Sequence, residues 1–140
     1  MSDPYNLQRF VDAQRDDFAI AIEELRAGSK QSHWMWYIFP QLAGLGHSTT
    51  AKFYGIASLD EARAYLDHEE LGPRLRECLH TILQWAGRRS AEEIFGSIDS
   101  VKLRSSLTLF EAASGDPSFG QGIDAFFDGK RDGATLQLLV

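Results

Sequence analysis

Helix punctuation is what most constrains this chain. Opening signals recur along it, each followed by apolar residues at three- and four-residue spacing and then by glycine. Asp3-Pro4 sets a capping acid before a proline, whose missing N–H costs nothing in a first helical turn. Leu7, Phe10 and Val11 follow, and a second stripe of Phe18, Ile22 and Leu25 runs to Gly28. Ser58 with Glu61, and Ser90 with Glu93, have the spacing of a capping box, in which each side chain satisfies an orphaned backbone N–H. The first opens Leu59–His68 and the second a short helix stopping near Gly96. Between them Leu71, Leu75, Cys78, Leu79 and Ile82 mark the buried face of what reads as the longest helix, with Pro73 tolerated near its start and Gly87 at its end. Asp99 or Ser100 is expected to cap a helix carrying Leu103, Leu107 and Phe110. Asp116-Pro117 opens another, with Ile123, Phe126 and Phe127 on its face and Gly129 closing it, and Ala134–Val140 reads as a last short helix. No stretch combines strand alternation with hairpin turns, and the β-favouring run Trp34–Phe39 has no partner. The expected fold is all-α, a compact single-domain multi-helix bundle of about seven to nine short helices spanning the whole chain.

At 140 residues, 44% hydrophobic and 24% charged, the chain has enough apolar material for one packed core. A formal net charge of -6 argues against a nucleic-acid partner, which requires a dominant basic face. Cys78 is the single cysteine, so an intrachain disulfide and a thiolate metal cluster are both excluded. No run approaches the roughly 18 apolar residues of a membrane span. The polar opening Met1-Ser2-Asp3-Pro4 lacks the apolar stretch of a secretion signal. A cytoplasmic monomer or weak homo-oligomer without membrane contact is the expectation.

Three segments hold candidate chemistry. The first is Ser32-His33-Trp34-Met35-Trp36-Tyr37-Ile38-Phe39-Pro40-Gln41, apolar nearly all round and therefore suited to the core. Its rings also offer flat stacking surfaces, and His33 is the one acid–base group in the run, the candidate catalytic residue if the protein is an enzyme. The second is Gly44-Leu45-Gly46-His47-Ser48 followed by Lys52, where two glycines before a helix start bring amides together for an anion. It lacks a phosphate-loop or dinucleotide signature, and a plain turn between helices is the favoured explanation. The third is Lys102-Leu103-Arg104-Ser105-Ser106, in which Lys102, Ser105 and Ser106 share a face at helical spacing and suit a phosphate or carboxylate, or else a solvated helix surface. His33, His47, His68 and His80 show no metal-ligand spacing, Cys78 lies on an apolar stripe, and no Gly-x-Ser-x-Gly elbow occurs. No metal or other cofactor is expected.

These motifs, together with Leu7-x-Arg9-Phe10-Val11-x-Ala13-Gln14, Phe53-Tyr54-Gly55-Ile56, Leu71-Gly72-Pro73-Arg74-Leu75, Ile94-Phe95-Gly96 and Thr108-Leu109-Phe110, run the length of the chain. In them the chain resembles the bacterial family known as domain of unknown function 1810. The resemblance implies a compact, mostly helical single domain and brings no activity with it. The family's motif positions include Ser32, His33, Trp34, Trp36, Gln41, Lys102, Ser105 and Ser106, each matched here. The chain departs from the pattern at His47, where arginine is frequent, at Glu69 after His68, where proline is common, and at Ile98, where proline is usual.

Two functional expectations follow. In one, His33, Trp34 and Gln41 line a site bordered by Gly44–Ser48, and Lys102 with Ser105 meets a small anionic molecule such as a nucleotide or NAD-derived compound. In the other, the domain is a non-catalytic interaction or scaffolding module using an exposed apolar face.

Overall fold

The structure is a computed structural model that describes residues 3–139. Among these are eight helices: α1 (Gln8–Arg26), α2 (Met35–Ile38), α3 (Thr49–Tyr54), α4 (Leu59–Asp67), α5 (Leu71–Leu83), α6 (Ala91–Ser114), α7 (Pro117–Phe127) and α8 (Gly133–Leu138). The two N-terminal stripes belong to one 19-residue helix, and α5, at 13 residues, is shorter than both α1 and α6 instead of the longest. No described helix is long and apolar enough to cross a membrane.

Local capping explains most boundaries. The Ser90–Glu93 box forms as expected at α6, and Asp116 with Pro117 opens α7. Three starts differ. Asn6 takes a left-handed φ of 51°, so α1 begins only at Gln8, while the Asp3 carboxylate still reaches the Leu7 and Gln8 amides at 2.8 and 3.0 Å. Ser58 accepts from the Glu61 amide, but the Glu61 carboxylate turns to the Ala57 amide and to Arg9 instead of closing the box. Neither Asp99 nor Ser100 opens a helix. The chain breaks at Gly96, whose φ of 83° only glycine adopts without strain, and resumes helix directly after it.

Downstream of that break, α6 is the axis of the molecule and packs against α4, α7 and α8. A helix covered on several sides buries residues around most of its circumference. Leu103, Leu107 and Phe110 are enclosed as expected, and so are Ser105, Ser106 and Thr108. Aromatic edges knit the centre: Phe10 meets Tyr65 edge-on at 5.1 Å between ring centroids, and Phe110 stacks on Phe119 at 5.9 Å. α1 packs on α5 and α2. The only pairing outside helices among the described residues is a parallel bridge between Leu42 and Ile56, which ties the segment after α2 to the end of α3.

Candidate functional site

The loop before α2 is organised by one carboxylate. Glu24 accepts from the Gln31 amide at 2.9 Å, the Ser32 amide at 3.0 Å, the Ser32 hydroxyl at 2.6 Å and the Trp34 indole N–H at 2.8 Å. Burial alone would push the Glu24 carboxyl up, but the Ser32 hydroxyl, the two amides and the indole together bring it down to about 2. A carboxyl lowered in the folded state stabilises the fold above its unfolded value near 4.5, and that contribution is lost as pH falls toward 2. Glu24→Gln turns an amide NH₂ toward these donors and is expected to cost about 2 kcal/mol at neutral pH. The difference in melting temperature between the two proteins should shrink steadily below pH 4.5, and a constant gap down to pH 2.5 would contradict this role.

Lys30 then straps the loop across the α6 break. Its amide donates to the Ile94 carbonyl at 2.7 Å before Gly96, while its ammonium pairs with Asp99 at 2.8 Å beyond it and also donates to the Ser32 carbonyl. Asp99 takes a second, looser partner in Lys102 at 3.4 Å, and the Lys102 ammonium lies 4.8 Å from the Trp36 ring centroid. The α2 helix, the strapped break and the segment Gln41–Ser48 thus enclose a divided cleft.

One hollow of about 340 Å³ is lined by Lys30, His33, Trp36, Phe95, Asp99 and Lys102, among others. Its neighbour, about 570 Å³, is lined by Gln41, Leu45, Gly46, His47, Ser48 and Val101 among others. Trp36, Ser97, Ile98 and Lys102 border both, so the Trp36–Lys102 pair is the rib between them. Both volumes fall in the range of small-molecule sites.

The structure therefore brings together His33, Trp36, Gln41, Gly46, Ser48 and Lys102 from three separate segments. It places the other candidates elsewhere. Trp34 is 1% exposed and belongs to the core beneath the cleft. Ser32 is committed to Glu24. Ser105 is buried one turn further along α6, donating to Val101 and to Asp132, and Ser106 is fully enclosed. Arg104 faces Asp132 at 3.8 Å. Their shared helical spacing with Lys102 does not help, because the turn holding Lys102 borders the cleft and the next turn lies in the covered stretch of α6. Gly44, with φ 98°, shapes the turn but lines neither hollow, and Lys52 is an exposed residue of α3 outside both. His33 is exposed at the mouth, and no hydrogen bond joins its imidazole to another described residue. Among the described residues, no three His, Cys, Asp or Glu side chains converge for a metal ion.

Sequence reasoning passed over Lys30, Asp99 as a counter-ion, Ile98 and Val101. A lysine at a loop and an aspartate inside a helix carry no local signal of pairing across 69 positions. His47 and Ile98, two of the departures from the family pattern, both line the larger hollow.

None of the curated proteins matches the chain significantly. Among solved structures, a crystal structure of a conserved hypothetical protein from Mycobacterium tuberculosis is similar, with 50% sequence identity, a TM-score of 0.95 and coverage of 98% of each chain. The sequence profile of the family described as protein of unknown function (DUF1810) matches residues 4–139, nearly the whole chain, and the protein belongs to that family.

Proposed function

We propose that the domain binds a small anionic organic molecule in the cleft divided by Trp36 and Lys102. The observation that carries this is the position of the Lys102 ammonium: it sits on the rib between two adjoining hollows, half-buried against an aromatic face, in a protein of net charge -6. Partial desolvation strengthens its attraction for an anion, and Gln41 and Ser48 supply neutral hydrogen-bonding groups nearby. His33 borders the anion side and is the residue to test for acid–base work. A ligand at a hundred times its Kd raises native-state stability by about 2.7 kcal/mol, readable as a shift in melting temperature. In a thermal-shift screen of nucleotides, sugar phosphates and organic carboxylates, at least one class should stabilise the protein. Lys102→Met keeps the stem over Trp36 and removes the charge, and it should weaken that binding at least about tenfold without unfolding the chain. Stabilisation unchanged in Lys102→Met would overturn the proposal. A second reading, a docking face for a partner protein, draws on the exposure of Ile98 at 74% and Val101 at 54%. It would be favoured if no anion binds while Ile98→Asp disrupts an association in solution.

A further inference from the structure

We infer that the cleft selects organic monoanions, an apolar group joined to a single negative charge such as a carboxylate, over polyphosphates; this rests on the ligand site proposed above. The two hollows differ in polarity. Leu45, Ala51, Ile98 and Val101 give the larger one an aliphatic wall, and Ile98 and Val101, one helical turn apart, are left exposed by the fold itself. The smaller hollow holds the charges: Lys30, Asp99 and Lys102.

Those charges are unequally engaged. The Lys30 side chain is only 6% exposed, and its ammonium is held by Asp99 at 2.8 Å and by the Ser32 carbonyl. Lys102 is 24% exposed, and its contact with Asp99, at 3.4 Å, is loose. Asp99 therefore offsets Lys30, and among the described residues lining the two hollows Lys102 is left as the more loosely held cation. Attraction to a site of fixed charge grows in proportion to the charge of the ligand, whereas the Born cost of stripping water from that ligand grows with its square. A site with one such cation thus matches one negative charge. A second would have no partner and would lie beside the Asp99 carboxylate. The apolar part of the ligand then covers Ile98 and Val101, and the anion crosses the rib to Lys102.

Three probes separate charge from shape: phenylacetate, benzyl phosphate with the same ring and a second charge, and pyrophosphate with no apolar group. Each is titrated into the full ¹⁵N-labelled chain at physiological ionic strength, following the Trp36 indole and the Ile98, Val101 and Lys102 amides by NMR. Phenylacetate should perturb all four and bind at least about tenfold more tightly than pyrophosphate, and more tightly than benzyl phosphate. Lys102→Met should remove the response. Ile98→Asp should weaken phenylacetate and leave pyrophosphate unchanged. Asp99→Asn should shift the preference toward benzyl phosphate. If benzyl phosphate or pyrophosphate binds these residues more tightly than phenylacetate and depends on Lys102, the monoanion inference fails and the ligand site stands. If no probe perturbs them, or the response survives Lys102→Met, both fail.

Discussion

Glu61→Ala is expected to destabilise the protein by about 3–5 kcal/mol, the range for removing one partner of a buried ion pair. The Glu61 carboxylate meets the Arg9 guanidinium at 2.7 Å, and the two side chains are only 4% and 8% exposed. Removing it leaves the Arg9 charge enclosed and strips the Ala57 amide of its acceptor at 3.0 Å. Arg9 also donates to the Tyr5 and Asn6 carbonyls and, across the fold, to Phe53 at 2.9 Å and Gly55 at 3.1 Å. It thereby clamps the start of α1 to the end of α3, and α3 carries Ala51 on the wall of the larger hollow. Loss of Glu61 should therefore loosen the cleft as well as the core. Glu61→Gln retains an oxygen for Ala57 and should cost less. Urea denaturation of the three proteins checks the order, and a loss below 1 kcal/mol in Glu61→Ala would refute the role given to this pair.

Gly72→Ala should be nearly as damaging, at about 3 kcal/mol, the upper end of ordinary overpacking. A Cβ at position 72 would stand 2.0 Å from the Leu66 carbonyl oxygen and 2.9 Å from its carbon. Both are backbone atoms at the end of α4, so no side-chain rotation relieves the clash. The whole α4–α5 junction must open, and Leu66, Leu71 and Leu75 in the adjoining core move with it. At about 3 °C per kcal/mol for a chain of this length, the melting temperature should fall by roughly 9 °C. Gly87→Ala makes a useful contrast. No atom lies within 4 Å of its added Cβ, and only the strain of φ 76° is incurred. Equal losses at the two positions would show that the Leu66 contact is not the cause.

The difference between those glycines marks what a linear sequence conveys. Both end or begin helical segments and look alike in the chain, yet only the fold shows that one lies against a backbone carbonyl. The same holds for the site. His33 and Gln41 stood out as polar groups among aromatics such as Trp36, Gly46 and Ser48 as part of an anion-binding turn, and Lys102 as a cation sharing a helix face with hydroxyls. Ser105 stood out with Lys102 for that shared face, yet its partner is Asp132, 27 residues on, at 3.1 Å. The partner explains the burial, and only the fold supplies it.

By itself the sequence determined that this chain is one all-helical domain. Caps, prolines, glycines and apolar spacing act within a turn or two, so Ser90 and Glu93 or Asp116 and Pro117 specify their helix starts with no help from the rest of the chain. Tertiary structure alone decided which turn of α6 faces solvent, that the helix resumes directly after Gly96, and that Lys30 bridges the break to Asp99. Those are contacts between distant segments, set by which helix faces are covered, and they leave Lys102 as the cation on the rib of the cleft.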